Sequence, residues 1–417
     1  MLYRKPCSSV LALAFAFALL SACENGSVEP VKEPLEYQLS PLEADLLGSS
    51  NNLAGSILPE LSRLYPSDNI LISPFSVGMG LGMLYNASGE PLRADILNAL
   101  DLRHFDERDL NKTFNGLASY LNILGNQMDM VFINGLWYPQ GLRTDEDCRS
   151  RIMAYYDADL EGLDFGKTAS WSYINKWAGF KSNGKIPFLT ASGLKEGSAC
   201  IINAASIGLN WAFAFDPELT RPGEFQLNPG GTLQVAMMHA PSMPVLYSRG
   251  PDAEYLALPV GRGSLVFAAI LPSQELALEQ YLESFSTLKL EGFLSMRDTT
   301  TMSVRMPRFT LDFQGSLNAV VQRSGVRNLG AEMRPMSRLL SGDKMLSGLE
   351  IQHKTTMILS EKGLINLLNP LPEGNPISGS ISLNRPFLFA IIETNTGTVL
   401  FAGLVRNPGF VPSDETK

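Results

Sequence analysis

Residues 353–389 read HKTTMILSEKGLINLLNPLPEGNPISGSISLNRPFLF. Thr355 to Leu359 is β-branched and apolar, and Phe387 to Ile392 is a continuous apolar run, so each reads as a strand. Between Gly363 and Arg385 lie 21 residues with three Pro, three Gly if Gly363 itself is counted, and little periodicity. Structureless connections longer than about 12–15 residues are uncommon in compact domains unless they are functional or disordered. The stretch is therefore strand, long loop, strand. The loop is bait, lid or accident, and the rest of the chain decides which.

The chain has 417 residues, 45% of them hydrophobic and 18% charged, which is enough apolar material for a substantial core. Its net charge of −9 comes without a long run of one sign. That balance argues against nucleic acid as a partner, because binding phosphates needs concentrated Lys and Arg. At the N-terminus, Arg4 and Lys5 precede an apolar run from Val10 to Leu20, the length of a signal-peptide core and short for a membrane span. Leu20-Ser21-Ala22-Cys23 follows and resembles the lipobox of bacterial lipoproteins. That resemblance implies a signal peptide at 1–22 and a lipidated Cys23 as the mature N-terminus. Acyl chains on Cys23 would hold the protein on a membrane surface without spanning it. Glu24 after the Cys implies the outer membrane, so the expected location is a bacterial outer membrane, cell surface or periplasm. Residues 23–38, rich in Pro and Glu, read as a flexible tether. Of the four Cys, Cys148 and Cys200 remain in the body of the chain, in no CxxC motif, and read as isolated thiols.

Ser40-Pro41-Leu42-Glu43 has the form of a capping box with Pro at the first helical position. Leu46, Leu53, Ile57, Leu61 and Leu64 follow at helical spacing and predict one buried face. Asn69 to Ser76 (NILISPFS) reads as a buried strand leading into a helix capped by Ser73. In the helix Val77 to Tyr85, Gly78, Gly80 and Gly82 cost stability and so predict close packing. Helices are expected at Leu92 to Leu100 and Asp145 to Tyr156. A further helix, Trp171 to Ser182, should bury Ile174, Trp177 and Phe180. Met128 to Tyr138 reads as a strand. Strands dominate after Cys200, among them a long one from Thr301 to Asp312 with a Pro at its middle, followed by a helix from Gly315 to Ser324. One α+β domain spanning 39–408, with a tail at 409–417, is the simplest account.

Little points to enzyme chemistry. The three His (His104, His239 and His353) have no metal-ligand spacing, and no GxSxG, GxGxxG or GxxxxGK[ST] motif is present. No cofactor and no metal are expected, and the chain reads as not an enzyme.

A series of short blocks in a fixed order resembles the serpin family. They are Asn69 to Ser76, Asn183-Gly184-Lys185-Ile186, Ile202-Asn203-Ala204 with Trp211 and Phe215-Asp216-Pro217, Leu258-Pro259, Met306-Pro307-Arg308-Phe309, Asn384-Arg385-Pro386-Phe387 and Phe401-Ala402-Gly403. The resemblance implies a serpin fold of three β-sheets and about nine helices with an exposed reactive-centre loop. It implies a shutter beneath the main sheet at Ser73, Ser76, Asn203 and His353, and a breach at Trp211 where that sheet first opens. It implies a monomeric partner of a serine or cysteine protease. The protease cleaves the loop, and the freed loop inserts as a new strand of the main sheet and traps it.

Insertion makes demands that this loop meets in part. Glu361-Lys362-Gly363 matches the start of the family's hinge, but Leu364 follows where inhibitory members carry small residues. One inward-facing set would be Leu364, Asn366, Leu368 and Pro370. Overpacking costs about 1–3 kcal/mol per site, an unpaired buried Asn about 1–3 kcal/mol, and Pro removes a ladder hydrogen bond. Counting forward from Gly363 places the bait bond at Ile377-Ser378, whereas counting back from Pro386 places it at Asn375-Pro376. A bond before Pro is a poor substrate, which favours Ile377. Two functions remain open: an inhibitor that traps proteases near the cell surface, or a non-inhibitory serpin acting as a binding or substrate-like protein.

Overall fold

The capping box at the start of the first helix forms as the sequence dictates. Ser40 Oγ accepts the Glu43 N–H at 3.3 Å and Glu43 Oε2 accepts the Ser40 N–H at 2.8 Å, opening α1 at Pro41–Leu64. The computed structural model describes residues 37–189, 194–227, 230–285, 299–329, 335–341, 345–366 and 378–409. The other helices are α2 (Pro74–Ala87), α3 (Leu92–Ala99), α4 (Glu107–Met128), α5 (Glu146–Tyr156), α6 (Thr168–Lys181), α7 (Leu278–Glu283) and α8 (Asn318–Arg323).

The strands of the first half are β1 (Ile70–Ile72), β2 (Met130–Pro139), β3 (Arg143–Thr144), β4 (Ala158–Leu163), β5 (Ser198–Gly208), β6 (Trp211–Ala214), β7 (Arg221–Gln226), β8 (Thr232–Arg249) and β9 (Ala253–Val260). Those of the second half are β10 (Leu265–Pro272), β11 (Thr300–Pro307), β12 (Phe309–Ser316), β13 (Leu340–Ser341), β14 (Gly348–Leu359), β15 (Gly363–Asn366), β16 (Ser380–Ser382), β17 (Phe387–Glu393) and β18 (Val399–Val405).

Among the described residues these strands form three sheets. Eleven strands follow the path β1-β18-β17-β10-β9-β8-β11-β16, with β7 on β8 and the pair β6–β15 joined through β9. Five form the sheet β12-β14-β5-β2-β4, and β13 pairs with β3. At β5 the five-stranded sheet is covered on both faces. Along β5, Ala199, Ile201, Ala205 and Ile207 enter the main core, while Cys200, Ile202 and Ala204 enter a second core under α6 with Ile174, Trp177 and Ala178. A strand buried on both faces loses the polar alternation of a half-exposed one, which explains why residues 199–205 of β5 are apolar on both faces apart from Asn203. At the centre of that sheet β5 runs parallel to β14, from Gly348 opposite Ser198 to Ile358 opposite Gly208. β12 and β2 flank the pair antiparallel.

Several expectations are corrected. Thr301 to Asp312 is two strands in different sheets, β11 and β12, separated at Arg308 where the chain crosses between layers. Gly315 continues β12 opposite His353, so the helix starts only at Asn318. Phe180 is 84% exposed, because the buried stripe of α6 runs through Ser170, Ile174, Trp177 and Ala178. Leu64, in the last turn of α1, is 42% exposed. The 22-residue helix α4 was not anticipated; its polar sequence hides a buried stripe of Leu110, Phe114, Leu117, Leu121 and Leu124.

All fourteen residues of α2 are buried, and its glycines are where side chains of β5, α4 and α5 come closest. A Cβ on Gly80 would lie 2.1 Å from Asn203 Oδ1, and one on Gly82 would lie 2.5 Å from the Tyr156 hydroxyl. In an exposed helix Gly→Ala stabilises by about 1 kcal/mol. Here Gly80→Ala is expected to destabilise by about 1–3 kcal/mol through overpacking against β5. The urea unfolding midpoint checks it: a variant as stable as the parent would show that the helix–sheet contact is loose.

Candidate functional site

Capping chemistry and a buried imidazole converge beneath the centre of the five-stranded sheet. Ser73 is the N-cap of α2, its Oγ accepting the Ser76 N–H at 3.4 Å. Its own backbone N–H donates to His353 Nε2 at 3.0 Å, so the imidazole proton resides on Nδ1. His353 lies opposite Asn203 across the parallel pair, and Asn203 Nδ2 donates to Asn134 Oδ1 at 2.6 Å. Ser73, Ser76, Asn203 and His353, expected together from the resemblance, thus line one patch. Ser76 Oγ, Asn203 Oδ1 and His353 Nδ1 are buried there without a partner among the described residues. Burial alone pushes the His353 imidazole down to about 3.

Further members of the patch went unread in the sequence. Asn134 donates to the Tyr156 carbonyl oxygen at 2.8 Å, and Thr355 Oγ1 donates to the Leu71 carbonyl oxygen at 2.6 Å. Tyr156, Asn111 and Asn86 form a buried hydrogen-bonded triangle behind them. An Asn inside the apolar run MVFINGLWY was the available signal, since a buried amide needs partners.

At the end of the parallel pair the chain forms a second cluster. Trp211 is 1% exposed and packs its ring against Phe215 and Phe267, with centroids 5.6 and 5.5 Å apart. Its indole N–H donates to the Ser360 carbonyl oxygen at 2.7 Å, and its backbone N–H donates to the Lys362 carbonyl oxygen at 2.9 Å. Glu361 is buried; it accepts the Thr220 hydroxyl at 2.8 Å and faces the Arg308 guanidinium at 3.5 Å. Thr220 was not singled out from sequence and Arg308 appeared only within the block Met306-Pro307-Arg308-Phe309; they are 88 residues apart, and the fold brings each to Glu361. Lys362 is exposed, and Gly363 and Leu364 begin β15 against β6.

Of the bait candidates, Asn375, Pro376 and Ile377 lie outside the described residues, as does Cys23. Ser378 donates its N–H to the Thr301 carbonyl oxygen at 2.8 Å, so the far end of the loop is fixed to β11, and β16 continues along that strand. Arg385 Nη2 donates to the Pro272 carbonyl oxygen at 2.8 Å and closes the frame. His104 and His239 take no part: one pairs with Asp45 and the other with Ser303. Cys148 and Cys200 are buried free thiols, whose burial pushes Cys148 up to about 11 and Cys200 up as well.

The site thus comprises a closed parallel seam, a buried polar patch beneath it and a segment framed by Gly363 and Arg385. The family model described as "Serpin (serine protease inhibitor)" matches residues 48–408, and the chain belongs to that family. It is 25% identical over 387 residues to alpha-1-antiproteinase 2 of Equus caballus, covering 91% of this chain and 89% of that protein. It is 25% identical over 383 residues to the leukocyte elastase inhibitor of Bos taurus, covering 87% and 99%. It is 27% identical over 356 residues to an uncharacterized serpin-like protein of Methanosarcina acetivorans, covering 82% of each. The crystal structure of native protease nexin-1 with heparin superposes with a TM-score of 0.78 at 21% identity, over 88% of this chain and all of that one. The expectation framed as "not an enzyme" is corrected to a positive class: the matched family is one of serine protease inhibitors.

The buried His353 ties the seam to pH. Its ordinary value of 6.5 falls to about 3 in the fold. Above pH 6.5 the group is neutral in both states and stability is flat. Between 6.5 and 3 only the unfolded chain takes up the proton, so stability falls as pH falls, by up to about 1.4 kcal/mol per pH unit. Urea midpoints at pH 7.5 and 5 for the parent and His353→Gln check this. The variant should lose a smaller part of its stability on acidification, and an equal loss would refute the assignment.

Proposed function

We propose that this serpin is a protease inhibitor that presents the segment between Gly363 and Arg385 as bait and traps its protease by inserting the freed loop between β5 and β14. The observation that carries this reading is the parallel seam itself. A chain that leaves the end of β14 and folds back must run antiparallel to β14, and therefore antiparallel to β5. Insertion would replace one parallel pairing by two antiparallel ones, and antiparallel ladders are slightly more stable per residue. The buried polar patch under the seam favours the same event, because buried unpaired groups cost about 1–3 kcal/mol each and a rearranged sheet can repartner them.

Hinge composition supports a second reading, in which the loop is cut but does not trap. Inhibition is a race between insertion and hydrolysis of the acyl-enzyme. Leu364, Asn366, Leu368 and Pro370 each slow insertion by bulk, an amide or a missing N–H. The partner in either case is a serine or cysteine protease. The lipobox-like Leu20-Ser21-Ala22-Cys23 and the polar stretch after it support a lipid-anchored protein, tethered through Cys23 at a bacterial membrane surface.

Mixing the protein with a panel of serine and cysteine proteases tests the reading. A covalent complex that survives SDS is expected with at least one of them. Replacing Leu364 by Thr and Asn366, Leu368 and Pro370 by Ala should raise the trapped fraction severalfold. Cleavage in the loop with no complex, from parent and variant alike, would sink the inhibitory reading in favour of the second.

A further inference from the structure

The residues that would have to lead insertion are already engaged as a strand elsewhere. Gly363–Asn366 lie parallel to Trp211–Ala214, with Gly363 opposite Trp211, Ile365 opposite Phe213 and Asn366 opposite Ala214. This short pair prolongs the β5–β14 seam past its end. Ile358 faces Gly208, the Leu209 N–H donates to the Ile358 carbonyl oxygen, and the Trp211 N–H donates to the Lys362 carbonyl oxygen. Apart from β15, β6 pairs among the described residues only with β9, through Trp211 and Val260.

The fit is tightest at Gly363. A Cβ there would lie 2.6 Å from both Ala214 Cα and Ala214 N, and 2.8 Å from the Trp211 carbonyl oxygen. All three are backbone atoms, which cannot swing aside as a side-chain tip does. Immediately before it, Glu361 is held by Thr220 and Arg308, and Ser360 by the Trp211 indole.

We infer that β6 is a dock that holds the hinge outside the five-stranded sheet, and that unzipping β15 from β6 is an obligatory step before insertion. The two arrangements exclude each other. β15 runs parallel to β6, whereas a strand inserted between β5 and β14 runs antiparallel to both. Gly363 is the positioning residue of the dock, required because no other residue lets the two backbones approach so closely. The dock stands by itself; its role in timing rests on the insertion reading proposed above.

Two measurements on the intact chain separate these claims, applied to the parent, Gly363→Ala and Thr220→Val. Amide hydrogen exchange reports the dock. Gly363→Ala is expected to speed exchange at 211–215 at least tenfold while β5 and β14 are unchanged. Cleavage of the loop by a broad-specificity protease, followed by the rate at which thermal stability rises, reports insertion; that rate is expected to rise at least fivefold. Thr220→Val removes the hydroxyl donated to Glu361 without altering shape. It should move both readouts in the same direction by less, and it keeps the test open if Gly363→Ala does not fold. Unchanged exchange at 211–215 overturns the dock. Faster exchange with an unchanged or slower stability rise overturns its timing role. A parent that gains no stability on cleavage defeats the insertion reading and the timing role together, and leaves the dock to be judged by exchange alone.

Discussion

The parallel contact between β5 and β14 is the constraint on which the rest depends. β5 is buried on both faces, and β14 from Ile351 to Thr355, so the backbone groups of the pair are satisfied by each other and by β2 and β12. A long connection that emerges from the end of one of them must pass this seam or stay outside it. The described residues at its two ends are held by separate contacts. Trp211 and Glu361 tie down its root, β15 lies along β6, and Ser378 and Arg385 secure its far end.

Beneath the seam the packing is close and polar at once. Gly80 brings α2 so near that Asn203 fills the space of a methyl group, and the neutral imidazole of His353 accepts from the N-cap residue of the same helix. An apolar core would have been simpler to stabilise. Buried amides and an imidazole instead make the strand pairing conditional on a specific set of partners, several of them unsatisfied in this arrangement.

Much of this was legible in the order of residues. The capping box at Ser40, the cap at Ser73, the packing role of Gly80 and Gly82, and the strands on both sides of the long loop depend on neighbours in sequence. The failures share a cause. Phe180 has the spacing of a buried residue, but the face of α6 that meets the sheet is set by where Trp177 and Ala178 pack. The apolar stripe of α4 was masked by interleaved Asn, Lys and Ser. Thr301 to Asp312 is locally one strand, and only the layering of two sheets divides it at Arg308.

By itself the sequence determined many of the elements, the caps at Ser40 and Ser73, the strand–loop–strand frame and, through ordered short blocks, the family. It also settled that the segment after Gly363 is bulky where insertion asks for small residues, since that is a matter of side-chain identity. Only the tertiary structure decided the partners. Ser73 meets His353 across 280 positions, Thr355 meets Leu71 across 284, and Glu361 meets Thr220 across 141. The same applies to the engagement of Gly363 with β6. No local propensity reports on a contact between two backbones 2.6 Å from where a side chain would begin; the path of the whole chain brings them together.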